Sequence, residues 1–338
     1  PRALIISPVR ELATQIEKVA RTVSNQTKLR VGVVVGGVKY GPQLARMSKG
    51  IDVLVATPGR LLDLMENKHL SLKNIEILVL DEADRMMDMG FWPQIKRVMA
   101  TIPKESQKLL FSATIGPEIQ KMVDSYMPNP AFVEIARKGM TADKIEQVAL
   151  PVSAMQKTDL LLTVLERTTT GKTLVFTRTK RRADRVVRTL RKAGVRCEPI
   201  HGDRSQNQRT RALEMFTKGK IDVLVTTDVI SRGIDIKQLD HVINFDVPDA
   251  PEDYVHRIGR TGRAGATGNA LTFVAPDEIS NFRGIEFLTK KVIPCMDIEG
   301  FVYRDDRVIP SADRSAEKRK PFANRGGRGS RSRGRSRR

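Results

Sequence analysis

Cysteine and histidine are scarce. Cys197 and Cys295 are the two cysteines, and there are four histidines among 338 residues. Two cysteines cannot build a disulfide framework, and no zinc-type spacing of cysteine and histidine appears. That chemistry fits a reducing, intracellular compartment, and a cytoplasmic location is expected. No uninterrupted apolar run approaches the ~20 residues that a membrane helix needs, so no bilayer-spanning segment is expected. The N-terminus has neither a charged leader region nor a cleavage-type signal. It opens on Pro1, not Met, and runs straight into the apolar stretch Ala3–Ile6, which reads as a piece cut from a longer protein.

Acid is also in short supply. Asp+Glu 39 against Lys+Arg 59 leaves a formal charge of +20, which points to an anionic partner, most often nucleic acid. About half of that charge sits in residues 318–338, which carry ten Lys/Arg and no acid. From Asn324 to Arg338 the chain is almost wholly Arg, Gly and Ser. Without an apolar face to bury, this segment is expected to be a disordered tail, either a solubiliser or an arginine-rich RNA-binding arm.

The body is different. Hydrophobic residues make up 40% and charged residues 29%, a globular balance, and 338 residues suffice for about two domains of roughly 100–200 each. Short Val/Ile/Leu runs alternate with amphipathic stretches. In the first half they are Ala3–Ile6, Val31–Val35, Val53–Ala56, Ile75–Leu80 and Leu109–Phe111. In the second they are Thr173–Phe176, Arg196–Ile200, Val223–Val225, Val242–Phe245 and Ala270–Val274. Runs of this length without polar alternation suit strands buried on both faces, and helices between them imply a parallel α/β sheet.

The halves echo each other. Asp52-Val-Leu-Val-Ala-Thr57 recurs as Asp222-Val-Leu-Val-Thr-Thr227, and Leu4-Ile-Ile-Ser7 aligns with Leu174-Val-Phe-Thr177, both at an offset of 170. Asp81 is matched by Asp246 at an offset of 165. A shared offset across several strands suggests two copies of one α/β domain. The expected division is a first domain over 1–137, a linker over 138–144, a second domain over 145–300 and a basic tail over 301–338. In open parallel sheets ligands bind beyond the carboxyl ends of the strands, so the residues after each run matter most.

Ile75–Leu80 runs into Asp81-Glu82-Ala83-Asp84. Carboxylates at the end of a buried strand suit Mg²⁺ binding and the orientation of a water in nucleotide hydrolysis, with Asp81 on the metal through its water shell and Glu82 polarising the water. Acids after a strand also cap the next helix, so the tetrapeptide alone decides nothing. Ser7-Pro8 and Thr57-Pro58 each promise a hydroxyl N-cap with proline at the first helical position. Such helix starts offer free N–H groups to an anion, and Arg10 and Arg60 follow within a turn. Gly36-Gly37 allows close backbone approach. Ser205-Gln206-Asn207-Gln208 reads as a capping box that uses Gln208 and leaves Gln206 and Arg209 free to face a ligand. In His256-Arg-Ile-Gly-Arg-Thr-Gly-Arg263, arginines 257, 260 and 263 recur at a spacing that one helical side would collect, as phosphate-directed fingers would need. His256 and His201 are either functional or hydrogen-bonded structural residues.

With these segments in view, the sequence resembles the DEAD-box family of ATP-dependent RNA helicases along almost all of residues 1–310. The segments are PVRELA (8–13), GG (36–37), TPGR (57–60), DEAD (81–84), SAT (112–114), LVFTRT (174–179), HGDRSQNQR (201–209), TTDVISRGID (226–235) and HRIGRTGR (256–263). DMGFWPQI, NFDVPDAPEDYVHRIGRTGR and IPCMDIEGFVY look most like the bacterial RhlE-type branch. The resemblance implies two tandem RecA-like domains, ATP and Mg²⁺ as cofactors, a monomer, and RNA as partner with little sequence preference. By it, Asp81, Glu82, Arg260 and Arg263 are catalytic, with Arg260 and Arg263 on the γ-phosphate and Gly233 and Asp235 at the ribose. Pro8, Arg10, Gly37, Thr57, Gly59 and Arg60 would track RNA from the first domain, and Thr177, Arg178, Gln206, Arg209, Thr227 and Asp228 from the second. Asp84, Ser112, Thr114 and His256 would couple the two sites.

Two departures stand out. The threonine that the family has after Pro8 is Val9 here, which removes a hydroxyl and one phosphate contact. The adenine-reading glutamine motif and the P-loop do not occur in these 338 residues and are expected before Pro1, so the first sheet should lack a strand and expose an apolar edge, and this chain alone should not turn over ATP. Gly171-Lys172-Thr173 is a decoy, because Glu166 stands where the P-loop's first glycine belongs and the tripeptide leads into a strand instead of following one. Rival readings are a non-catalytic RNA-binding or annealing protein and a DNA-directed relative.

The tail carries its own test. Removing residues 318–338 should weaken RNA binding for all sequences alike and flatten its salt dependence. Loss of four phosphate contacts changes the log–log slope by roughly 3. Titrations across a salt series check this, and an unchanged slope leaves the tail a solubiliser.

Overall fold

The computed structural model describes residues 1–134, 145–167, 171–228, 239–262 and 267–308. The expected linker, Gly233, Asp235, Arg263 and the tail from 318 lie outside these residues. The first sheet contains β1 (Ala3–Ile6), β2 (Val31–Val34), β3 (Val53–Ala56), β4 (Ile77–Leu80) and β5 (Gln107–Leu110) in the order β2-β3-β1-β4-β5, all parallel. The second contains β6 (Ile145–Pro151), β7 (Thr173–Phe176), β8 (Cys197–Ile200), β9 (Val223–Thr226), β10 (His241–Asn244) and β11 (Gly268–Val274) in the order β6-β11-β10-β7-β9-β8, again all parallel.

Read from its β8 end, the second sheet runs β8-β9-β7-β10-β11, the topology of the first, with β6 added at the far edge. The offset of 170 lays β1 on β7 and β3 on β9 residue for residue. The Asp81–Asp246 match is one residue out of step, because Asp81 follows β4 directly whereas Asp246 stands two places beyond β10.

Helices cover both faces of each sheet, which is why the strands read as continuous apolar runs. In the first domain they are α1 (Arg10–Ser24), α2 (Tyr40–Met47), α3 (Pro58–Glu66), α4 (Ala83–Asp88), α5 (Trp92–Met99) and α6 (Pro117–Tyr126). In the second they are α7 (Lys157–Arg167), α8 (Lys180–Lys192), α9 (Gln206–Thr217), α10 (Pro251–Ile258) and α11 (Ile279–Thr289). Leu4, Ile6, Leu54, Leu78 and Leu80 face Leu61, Leu64 and Val98 in one core, while Val55 turns to Ala13 of α1 on the opposite face. Val175 and Val225 meet Val187 and Leu190 of α8, and Leu174 and Phe176 meet Phe216 of α9. Each such side chain contributes about 1.5–3 kcal/mol on burial.

Two local expectations change. Ser7 and Pro8 do not start a helix: α1 begins at Arg10 behind Val9, an extended residue (φ −129°) with no side-chain cap. The Val9 side chain is buried, which holds the backbone extended for one residue past Pro8. Thr57 and Pro58 do take the N-cap and first helical positions of α3, but the Thr57 hydroxyl accepts from the Gly36 amide (3.3 Å) instead of capping its own helix. Residues 301–308 also depart from expectation, belonging to the second domain and not to a tail. Phe301 and Tyr303 pack on its core, Gln156 bonds Val302 and Arg304, and Arg307 grips Asp297 at 2.6 and 2.9 Å. The decoy reading of Gly171-Lys172-Thr173 stands, since Thr173 opens β7 and Lys172 donates to the Thr217 carbonyl.

Candidate functional site

Strand β4 delivers Asp81, Glu82 and Asp84 to the carboxyl edge of the first sheet. Asp81 is pinned there by its amide, which donates to the Ile6 carbonyl at 3.0 Å. Glu82 has φ +51°, a left-handed conformation that a residue with a Cβ adopts at a cost of order 1–3 kcal/mol. The turn aims its carboxylate inward. Its Oε2 is buried without a hydrogen bond and lies 3.7 Å from Arg85 Nη1. Burial raises the Glu82 carboxyl above the ordinary range, Asp81 and Asp84 push the same way, and Arg85 and Arg260 oppose them. Burial also raises Asp81, against a hydrogen bond from the Glu82 amide. Two carboxyls poised this way suit water activation and metal-water contact.

Asp84 points elsewhere. Its Oδ2 accepts from the amides of Ala113 and Thr114 at 3.1 Å each and from the Thr114 hydroxyl at 3.3 Å, while its own amide donates to Ser112 Oγ at 3.2 Å. The expected link from Asp84 to Ser112 and Thr114 is therefore present, and the segment after β5 is tied to the acidic turn.

The first domain also gathers cations. Arg10 is half-buried over Gly36-Gly37, where a Cβ on Gly37 would collide with the guanidinium and where Gly37 itself has φ +69°. Burial lowers the Arg10 pKa, and Arg209 and Arg60 add repulsion. Among the described residues the Arg10 guanidinium has no hydrogen-bond partner. Arg60 stacks on Tyr40, 5.0 Å from the ring centroid, and donates to the Val38 carbonyl. Its Nη1 is buried and unbonded. Gly59 offers open space beside it, with nothing within 4 Å of where a Cβ would stand. Arg60 Nε pairs with Asp63 at 3.4 Å, so the unmet donors are Arg60 Nη1 and the Arg10 guanidinium, and partly desolvated donors of this kind form a seat for an anion.

In the second domain a buried lysine orders the equivalent strand end. Lys157 Nζ donates to the Phe245 carbonyl (2.8 Å), Asp246 (3.3 Å) and Glu278 (2.5 Å). Asp246 accepts the Arg178 amide at 2.8 Å and pairs with Arg182, while Glu278 accepts from Arg178 Nη2 at 3.2 Å. Arg178 is thereby fixed, exposed, at the carboxyl end of β7. Thr177 is fully buried, with its hydroxyl directed to backbone carbonyls, and Thr227 is nearly buried. His201 is buried against Asp184 (3.1 Å), a structural placement. Gln208 closes the capping box with Ser205 as expected.

The two domains meet through charge. Glu11, in the first turn of α1, is buried and pairs with Arg209 in the first turn of α9, and it accepts from Gln206 Nε2 at 3.2 Å. Gln206 and Arg209 are thus not free to face a ligand, because they hold an acid that sequence reasoning passes over. Nothing in the sequence marks Glu11, since an acid in a first helical turn is ordinary. Arg85 reaches across to the Asp228 carbonyl at 3.1 Å. The Asp228 carboxylate is gripped by Arg257 at 2.6 and 2.7 Å, so it positions this contact instead of facing RNA. Arg257 is buried inside the second domain and also holds the Asp246 carbonyl. α10 ends at Ile258, so Arg257 and Arg260 do not share one helical side. Arg260 follows the helix end, donates to the His256 carbonyl and acts electrostatically on Glu82 of the first domain.

A carboxylate pair on one parallel sheet and an arginine from a second sheet of the same topology define a two-domain RecA-like architecture with its site between the sheets. Comparison with known proteins agrees. Residues 1–122 match the DEAD/DEAH box helicase model and residues 156–265 the helicase conserved C-terminal domain. The chain is 43% identical over 290 residues to the DEAD-box ATP-dependent RNA helicase CshA of Bacillus subtilis, covering 86% of this chain and 59% of that protein. It thus spans less than two thirds of that relative's length. S. cerevisiae Dbp5 bound to RNA and ADP BeF3 superposes with a TM-score of 0.79 at 32% identity, covering 88% of this chain and 78% of that one. A variant of the same yeast protein, bound to Nup159, a Gle1 variant, IP6 and ADP, gives 0.56 at 31% identity, covering 88% and 79%. This chain belongs to the DEAD/DEAH box helicase family.

The Asp84 anchor is testable on its own. Asp84→Ala removes a charged acceptor from two amides, a loss of about 1.5–3 kcal/mol per bond. Amide exchange at Ala113 and Thr114 should therefore quicken by roughly 10–100-fold while β1 and β4 stay protected, as read by hydrogen-exchange mass spectrometry. Unchanged exchange would show that the segment holds itself.

Proposed function

We propose that these residues form the core of an ATP-dependent RNA helicase that remodels short duplexes by RNA-stimulated ATP hydrolysis in the cytoplasm. The observation that carries this is Glu82, a half-buried carboxylate held in a left-handed turn, with Oε2 out of solvent and in the field of Arg260 from the other domain. A base and a cation supplied by separate domains act together only when the domains are closed, which ties chemistry to whatever closes them. The better superposition on the Dbp5 structure containing RNA and ADP BeF3 supports a domain arrangement here like that of the RNA-bound protein.

The residues fit Mg²⁺ in one way. Among the described residues there is no cluster of three metal-ligating side chains, so a protein cage is not on offer. One carboxylate at a strand end with room for water suits Mg²⁺, which keeps most of its water shell, and Asp81 is that group. Bound there, the metal supplies neutralisation of charge on the phosphates. In this reading Glu82 takes a proton from the attacking water, and Arg260, with Arg263, stabilises the γ-phosphoryl charge. Gly233 and Asp235 are assigned to the ribose by resemblance. Arg10, Arg60, Gly37, Thr57, Gly59 and Pro8 line the RNA path on one side, with Arg178 and Thr227 on the other, while Thr177, wholly buried, supports that edge from beneath. Contacts of this kind read backbone, not bases. The two free cysteines support the cytoplasmic location.

No P-loop pattern occurs within these 338 residues, which favours a second reading for them taken alone: RNA binding without turnover. Phosphate release with saturating RNA and Mg²⁺-ATP should be absent from this chain and present when an upstream P-loop segment is joined to it. In the extended chain Glu82→Gln should abolish turnover while sparing RNA binding, and Arg260→Ala should slow it by about 10³-fold or more. Comparable turnover with and without the added segment overturns the nucleotide-site reading, and a loss below tenfold removes Arg260 from it.

A further inference from the structure

Helix α8 carries a charge pattern that its own stability does not explain. Ala183, Val186, Val187 and Leu190 are buried against the sheet. On the opposite side Arg181, Arg185, Arg188 and Lys192 stand at i, i+4, i+7 and i+11, all exposed, in one line about 16 Å long. The other cations of the helix are engaged: Lys180 with Asp203 (2.6 Å), Arg182 with Asp246 (2.5 Å) and Arg191 with Glu198 (2.5 Å). Asp184, the helix's one acid, is taken by Arg204 and His201. Among the described residues, the four cations of the line have no ion-pair partner.

This arrangement works against the helix. Like charges three and four residues apart destabilise an isolated helix, and cations in the first turn oppose the positive end of its dipole. Of the line, Arg181 lies in that first turn, where the helix itself has no acid, whereas Lys192 in the last turn suits the dipole, so the cost falls on Arg181 and on the like-charge spacing. A solvated face built for solubility alone would mix signs along the line. A line of one sign, maintained against local preference, matches a ligand of opposite sign.

We propose that this face of α8 binds the phosphodiester backbone of RNA where the strand continues past the cleft between the domains. The proposal rests on the RNA reading above. Continuity supports it, because α8 begins two residues after Arg178, which Asp246 and Glu278 fix at the carboxyl edge of the second sheet, the edge from which Asp228 meets Arg85 of the first domain. Composition supports it as well. No exposed apolar or aromatic side chain interrupts the line, as the core of a protein–protein contact would require. Four cations over 16 Å suit several consecutive phosphates, read without regard to sequence.

The test compares the full chain with a variant carrying Arg181→Gln, Arg185→Gln, Arg188→Gln and Lys192→Gln. Glutamine has nearly the helix propensity of the residues it replaces, so the melting temperature should hold or rise. Binding of oligouridylate of about 8 and about 30 nucleotides is measured across a salt series. The long RNA should bind the variant roughly tenfold or more weakly, with a log–log slope smaller by about 2 to 3, while the short RNA changes less than twofold. Equal affinity and slope on the long RNA overturn the proposal, and so do equal losses on both lengths, which would return the residues to the cleft. A polyglutamate chain that loses as much affinity as the long RNA overturns it in favour of an acidic protein partner. Failure of the wild-type chain to bind the short RNA is a different result, which removes the cleft reading and leaves the length comparison to judge α8.

Discussion

The two domains are held together by an ion pair taken out of water. Glu11 and Arg209 meet between helix starts from different sheets, with Gln206 as the second partner of the acid. An apolar interface would lock the domains whatever was bound. A buried pair does not, because desolvation cancels much of its attraction and leaves the contact conditional. Around it several polar atoms are unsatisfied, including Glu11 Oε2, Arg209 Nε and Arg60 Nη1. Arg10 lies alongside with its pKa lowered by burial and by its cationic neighbours. In the function proposed above, an anion completes this interface while Arg260 acts on Glu82 from the other domain.

Duplication explains how one fold supplies both sides. The sheets share a strand order, so each presents the same row of loops at its carboxyl edge. What differs is the chemistry on equivalent loops. After β4 the first domain places a carboxylate pair, whereas after β10 the second places Asp246, which is wholly buried and tied to Lys157 and Arg182. One strand end keeps its carboxylates part-exposed, as the proposed chemistry needs, and the other is a brace for Arg178. The strain at Glu82 fits this division, since left-handed backbone is tolerated where the surroundings fix it and function uses it.

The sheets are legible in the sequence because a strand buried on both faces needs a continuous apolar run, and ten such runs can be read directly. β6 escapes, because Glu146 and Gln147 break its pattern at the edge of the second sheet. The capping box at Ser205 is legible because its chemistry is local. Contacts that cross the chain are not. Arg257 and Arg260 look like one set by spacing, yet the helix ends between them, one turning inward to Asp228 and the other toward Glu82. Gln206 and Arg209 read as ligand-facing in the sequence because their partner lies 195 or more residues away. Ser7-Pro8 shows the converse limit, where a strong local motif yields to the burial of Val9.

The central claim is that the buried Glu11–Arg209 pair governs domain closure. It is tested most directly by pulsed dipolar spectroscopy between spin labels at Lys104→Cys and Lys218→Cys, exposed sites on opposite domains, with RNA present. Removing one member of a buried pair costs about 3–5 kcal/mol, much of it from the charge left behind. Glu11→Gln and Arg209→Gln should each shift the distance distribution to longer values, with the double variant no more open than either single one. Distributions indistinguishable from wild type in both single variants would contradict the account.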